Sequence, residues 1–175
     1  MPISRSPRMG DILMCDFNPG ELELLDGAMD KRRMSIVVTP QHQRSGKMLH
    51  VVPISMTAPE VVKPWHLIIP NFCLPRPAVK AREGARWAKC DCVLAVGWNR
   101  LDRYSTRDRH NQKTLYHSAA LDMPTLVAVK IALAAVFGIR RDTFDYGKAA
   151  VAADAGLNQA LTVAENAPLK KDEQA

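Results

Sequence analysis

The 175-residue chain has no apolar run long enough to cross a membrane. The longest, residues 126–139, is interrupted by Lys130, and a spanning helix needs about 20 predominantly apolar residues. The opening Met1-Pro2-Ile3-Ser4-Arg5-Ser6-Pro7-Arg8 lacks an apolar core, so no secretion signal is expected. Zinc-type spacing is missing too. Cys90 and Cys92 are separated by one residue, and no matching Cys or His pair stands elsewhere. A metal site is therefore not expected. The remaining cysteines are Cys15 and Cys73, and all four read as reduced, mostly buried small residues of a cytosolic protein. On a strand, Cys90 and Cys92 would point to one face. There is no internal repeat.

What the chain does have is core and positive charge. Hydrophobic residues make up 47% and charged residues 24%, the balance of one ordinary soluble domain. The formal charge is +6. That favours an anionic partner, nucleic acid first and a membrane surface second. The basic residues cluster in segments 31–33, 80–86, 100–109 and 140–141.

Segments 10–17, 34–39, 48–54, 65–69, 86–89 and 91–98 read as short strands, several of them apolar and β-branched. Asn18-Pro19-Gly20 and Ser45-Gly46 are turn signals. Residues 21–30 form an acidic, polar surface loop in this reading. The two prolines of residues 71–80, with Pro70 just before them, argue against both helix and central strand. Residues 102–117 form a hairpin or lid turning at Asn111-Gln112. A helix follows, with Asp122 as N-cap, Pro124 in its first turn and Gly138 just past its end. The pattern predicts a mainly β protein, a small barrel with a helix against it. Three segments are expected: a basic arm over 1–9, the barrel over 10–140, and an alanine-rich, loosely helical or flexible tail over 141–175.

The chemistry that suits this layout is phosphodiester cleavage by a 2′-hydroxyl, which supplies its own nucleophile. The protein must then place a cation on the phosphoryl oxygens and assist proton transfer. Arg33 can hold two phosphate oxygens with its planar guanidinium. Ser55 ends a strand with a hydroxyl that can donate. Each alone reads more simply as a solvated turn arginine and a serine bonded to nearby backbone. Lys31 and Arg32 suit general phosphate contact. His66 suits proton transfer or phosphate binding. Asp16 and Asp91 are candidate bases or structural acceptors, and His50 reads as structural. Trp65, Trp87 and Trp98 offer stacking surfaces, with core packing the simpler role for at least two.

The order of these motifs resembles the MazF/PemK ribonuclease toxins. Gly10-Asp11 opens a strand that ends Asp16-Phe17-Asn18-Pro19. Arg33 precedes an apolar strand, Val51-Val52-Pro53-Ile54-Ser55 ends the next, and Pro64-Trp65-His66-Leu67 follows. The resemblance spans roughly residues 9–139. It implies an SH3-like barrel of the MazF/PemK/CcdB type with a C-terminal helix, usually a homodimer. It further implies a cytoplasmic, metal-independent endoribonuclease with no cofactor, acting on single-stranded RNA and neutralised by a cognate antitoxin protein. Arg33 and Ser55 take the positions of the family's essential arginine and threonine. Asn18, Lys31, Arg32, Thr57, Trp65 and His66 are the expected RNA contacts. Two departures stand out: Met34 replaces the usual proline, and Ser55 lacks the methyl that restricts threonine rotamers.

Two other readings compete. One is a catalytically degenerate nucleic-acid-binding module on the same barrel, which the retained Arg33 and Ser55 disfavour. The other is a gyrase poison, since the CcdB toxins share the barrel. Those end in Trp-Gly-Ile, whereas this sequence ends Lys170-Lys171-Asp172-Glu173-Gln174-Ala175.

Overall fold

The computed structural model describes residues 3, 6–18, 31–41, 46–108 and 110–139. The expected acidic loop over 21–30 and the tail over 141–175 lie outside the described residues, as does part of the basic arm.

Alternation of side chains builds the centre of the fold. Strands β1 (Ile12–Asp16), β2 (Arg32–Val37) and β3 (Met48–Ser55) pair as an antiparallel meander. Along β2, Ile36 faces one side and Val37 the other. Ile36 joins Ile12, Val52 and Ile54 in one core cluster. Val37 joins Leu13, Cys15, Leu49 and Val51 in a second. The sheet is therefore buried on both faces, which is why these strands read as nearly continuous apolar runs.

β3 is long enough to serve two partners along its outer edge. Its first half, Met48 to Val51, pairs with β6 (Leu94–Gly97), and its end, Ile54 and Ser55, pairs with β5 (Trp87–Lys89). β4 (His66–Ile68) continues beyond β5, and β7 (Leu101–Asp102) lies on the free edge of β1. The sheet runs β4-β5-β3-β2-β1-β7, with β6 on β3. β8 (Tyr104–Arg107) and β9 (Thr114–His117) form a separate hairpin. It turns where expected, with Gln112 at φ 57°. The architecture is mainly β with one long helix against the sheet, as the sequence implied.

That helix, α2 (Met123–Val136), begins and ends as its caps dictate. Asp122 accepts the Thr125 N–H at 3.4 Å. At the other end the N–H groups of Gly138 and Ile139 bond the carbonyls of Ala135 and Ala134, with Gly138 at φ 70°. Val129 and Ala132 are buried in the first core cluster, and Leu133 and Val136 pack beside them. No helix among the described residues is long and apolar enough to cross a membrane.

Two expectations are corrected. The proline-rich stretch does hold a short helix, α1 (Arg76–Ala81), because Pro77 falls in its first turn, where no N–H is needed. Cys90 and Cys92 do not share a strand face. They lie in a 3-10 turn, Cys90–Cys92, that separates β5 from β6. The expected strand over 91–98 shrinks accordingly to Leu94–Gly97.

Candidate functional site

The site grows from the register of the three central strands. Cys15 of β1 faces Arg33 of β2, and Asp16 faces Arg32. Ser35 faces Pro53 of β3. That is the last pair of the ladder; Arg33 and Ser55 each lie two residues beyond it on their strands, in step with Ser35 and Pro53 and so on the face that carries Ser35 and Val37. Both residues thus stand at one end of the second core cluster. On the other side of β3, Ser55 faces Trp87.

Burial gives each residue a defined posture. The Arg33 Nε is buried and has no hydrogen-bond partner among the described residues. The Nε of Arg86 and the ring N–H groups of Trp65 and Trp98 share that state, so it leaves Arg33 a donor to give without singling it out. Ser55 is buried, and its Oγ accepts the Thr57 N–H at 3.1 Å. A hydroxyl has one proton to give and two lone pairs. The bond from Thr57 therefore fixes the oxygen and leaves the proton for an acceptor placed near Arg33. It supplies the restraint that the missing methyl would otherwise give.

Arg32 opens β2. Its Nη2 lies 3.0 Å from Asp102 Oδ2, a pair set up by the ladder of β1 with β7. Burial raises the Asp102 carboxyl, but lowering contributions led by the Arg103 N–H, with the Arg32 charge the smallest of them, hold it below the usual carboxylate range. Lys31 is exposed just before β2. Asn18 donates its N–H to Asp16 Oδ1 at 3.0 Å and accepts a bond from Arg100 at its carbonyl. Arg100 is thus a site neighbour that local sequence could not reveal, because it acts 82 residues away.

His66 and Trp65 are set apart from this pair. His66 faces Lys89, two residues along β5 from the Trp87 opposite Ser55. Both ring nitrogens are engaged. Nδ1 accepts the Lys63 N–H at 3.2 Å, so the ring proton sits on Nε2, which lies 3.4 Å from Asp91 Oδ2. Trp65 packs against the first core cluster, with the Lys63 ammonium 5.2 Å from its ring centre. His50 is structural, held by Thr39 through its N–H and its Nδ1.

All four cysteines are free, and Cys15, Cys73 and Cys90 are buried. Burial pushes the Cys15 thiol up to about 11 and the Cys90 thiol up to about 12. Among the described residues, no group of three His, Cys, Asp or Glu is arranged to hold a metal ion.

Comparison with known proteins follows the same lines. Residues 8–136 match the family described as PemK-like, MazF-like toxin of type II toxin-antitoxin system. The uncharacterized protein YifN of Escherichia coli (strain K12) is 27% identical over 143 residues, covering 75% of this chain and 95% of YifN. The fold is similar to MazF (Form-I) from Deinococcus radiodurans, with a TM-score of 0.52 and 14% identity over 78% of this chain and 100% of that one. It is also similar to a mycobacterial endoribonuclease solved in complex with its cognate antitoxin, with a TM-score of 0.50 and 15% identity over 77% of this chain and 98% of that one.

Proposed function

We propose, from the premise that this chain belongs to the PemK-like, MazF-like toxin family of type II toxin-antitoxin systems, that it is a metal-independent endoribonuclease acting on single-stranded RNA. The observation that supports the reading is that Arg33 and Ser55 stand at the same end of β2 and β3, two residues beyond the last pair of their ladder, the first with a buried Nε that has no partner among the described residues and the second with a hydroxyl that keeps its proton.

In this reading the 2′-oxygen gives its proton to a base and attacks the adjacent phosphorus, and the bond to the 5′-oxygen breaks as that oxygen takes a proton from water. The products are a 2′,3′-cyclic phosphate and a 5′-hydroxyl. Negative charge grows on the two non-bridging oxygens, where the Arg33 guanidinium and the Ser55 O–H meet it. Their positions are fixed before the substrate arrives, so little reorganisation is needed at the transition state. Asp16, which keeps one carboxylate oxygen clear of the Asn18 N–H, is the base proposed among the described residues to take the 2′ proton. It is exposed at the end of β1, whereas Asp102 is bound by Arg32 and Asp91 by His66. Lys31 and Asn18 line the approach, and the cognate antitoxin covers it when the toxin is silent. The active form is a homodimer in the cytoplasm.

The test is cleavage of a long single-stranded RNA in EDTA, wild type beside Arg33→Ala. Discrete fragments with cyclic phosphate ends, lost in the variant, are the expected result. Salt-sensitive RNA binding without cleavage by the wild type would overturn the enzyme reading in favour of a binding-only module.

A further inference from the structure

Between the segment that follows β4 and the end of the hairpin lies an open groove of about 500 Å³. One wall is the 3-10 turn Asn71–Cys73 with the start of α1, and the other is the end of β9. The floor, Ala119 and Ala120, is pinned to β1. The Ile12 N–H bonds the Ala119 carbonyl at 2.9 Å, and Ala120 bridges Asp11.

The lining has an unusual chemistry for a surface. Phe72 is 76% exposed on one wall, and Tyr116 stands on the other. Arg76 adds a cation on the first wall, and the Arg103 guanidinium sits 5.2 Å from the Tyr116 ring centre. No carboxylate lines the groove. The nearest along the chain, Asp122, is committed to the Thr125 N–H and the Cys73 thiol. An exposed aromatic on each wall, cations beside both and no acid is the arrangement that accepts unstacked bases and their phosphates. An acidic peptide would be drawn by the charge but would leave both ring faces unused.

We infer that this groove binds single-stranded RNA, with bases stacking on Phe72 and Tyr116 and phosphates meeting Arg76 and Arg103. The inference rests on the ribonuclease reading for its substrate and extends it to a second subsite. Ile12, which holds the floor, lies three residues along β1 from Cys15, the ladder partner of Arg33. At strand rise those two backbone positions are about 10 Å apart, so the groove is anchored on the strand that also pairs with Arg33.

The experiment measures binding of a fluorescent single-stranded RNA of about 16 nucleotides whose 2′-O-methyl sugars prevent cleavage. Anisotropy titrations compare wild type, Phe72→Ala, Tyr116→Ala, Tyr116→Phe and Arg76→Glu. Each alanine variant should bind about 10-fold more weakly, and Tyr116→Phe should bind as wild type because the ring remains. Arg76→Glu should weaken binding and flatten its salt dependence. These side chains are exposed, and thermal melting of each variant confirms the fold. Unchanged affinity in both alanine variants would overturn the groove, as would their losing only an acidic peptide's binding. Because the probe cannot be cut, a wild type that binds through the groove but fails to cleave natural RNA would sink the enzyme reading alone.

Discussion

Arg33 and Ser55 each stand two residues beyond Ser35 and Pro53, the last pair of the β2–β3 ladder, at the same end of the sheet. Each is thus held on a strand rather than on a loop. If the two act on one phosphoryl group, their losses are coupled. Arg33→Ala should reduce RNA cleavage by about 10²–10³-fold. Adding Ser55→Ala should cost less than the product of the two single effects. Single-turnover rates of the four proteins measure this, and full multiplicativity would separate the two residues.

The Ser55 hydroxyl has two duties that substitution can separate. Ser55→Ala leaves the Thr57 N–H without its acceptor, a loss of about 1 kcal/mol in stability. Ser55→Thr keeps the oxygen and adds the rotamer-restricting methyl, so it should retain cleavage. A threonine variant as inactive as the alanine variant would show that the hydroxyl position is not what matters.

The Asp102 carboxyl, with the Arg103 N–H as its leading stabiliser, predicts a pH dependence. The Asp102 carboxyl is held below its ordinary value, so its stabilisation is present above the unfolded value of about 3.9. It is lost as pH falls through the lower folded value. Asp102→Asn should be less stable than wild type at neutral pH, by no more than about 1 kcal/mol because the carboxyl is partly exposed. Urea unfolding should show the gap closing in acid. A gap that stays constant with pH would assign it to packing.

Arg86 is buried at 3% exposure and ties down the α1 segment. Its guanidinium donates to the carbonyls of Gly84, Ala78 and Arg82 at 2.8, 3.2 and 2.7 Å. Arg86→Ala orphans all three and should cost about 3 kcal/mol, read as a drop in the urea midpoint. A shift within experimental scatter would mean that the segment stands without it.

The thiols should show the effect of burial directly. With Cys15 and Cys90 raised to about 11 and 12, neither carries appreciable thiolate in mildly alkaline buffer. Brief iodoacetamide treatment of the native protein should therefore label only Cys92, the one cysteine that is not buried. Peptide mass spectrometry checks this, and rapid labelling of Cys90 would contradict the packing of the first core cluster.

Local sequence determined what depends on neighbours. The apolar runs of β1, β2 and β3, the Asp122 cap, the Gly138 terminus and the hairpin turn at Gln112 each follow from short-range sterics and backbone bonding. The residue types of Arg33 and Ser55, and their places at strand ends, were legible in the same way. The helix through Pro77 was missed because proline excludes a helix interior but not its first turn. The 3-10 turn at Cys90–Cys92 was missed because Cys92 runs straight into the apolar Val93-Leu94-Ala95-Val96 and reads as part of that strand.

Tertiary structure alone decided the partners. Arg32 is neutralised by Asp102, Arg100 reaches Asn18, and Asp91 and Lys63 fix the His66 tautomer. Phe72 and Tyr116 come to face one groove from segments far apart in the chain. The sequence by itself therefore determined which groups are available and where each strand must end, because those depend on residue type and spacing. Which charges remain free to meet a phosphate was decided only by folding, because ion pairing and burial arise between residues that the sheet, not the chain, makes adjacent.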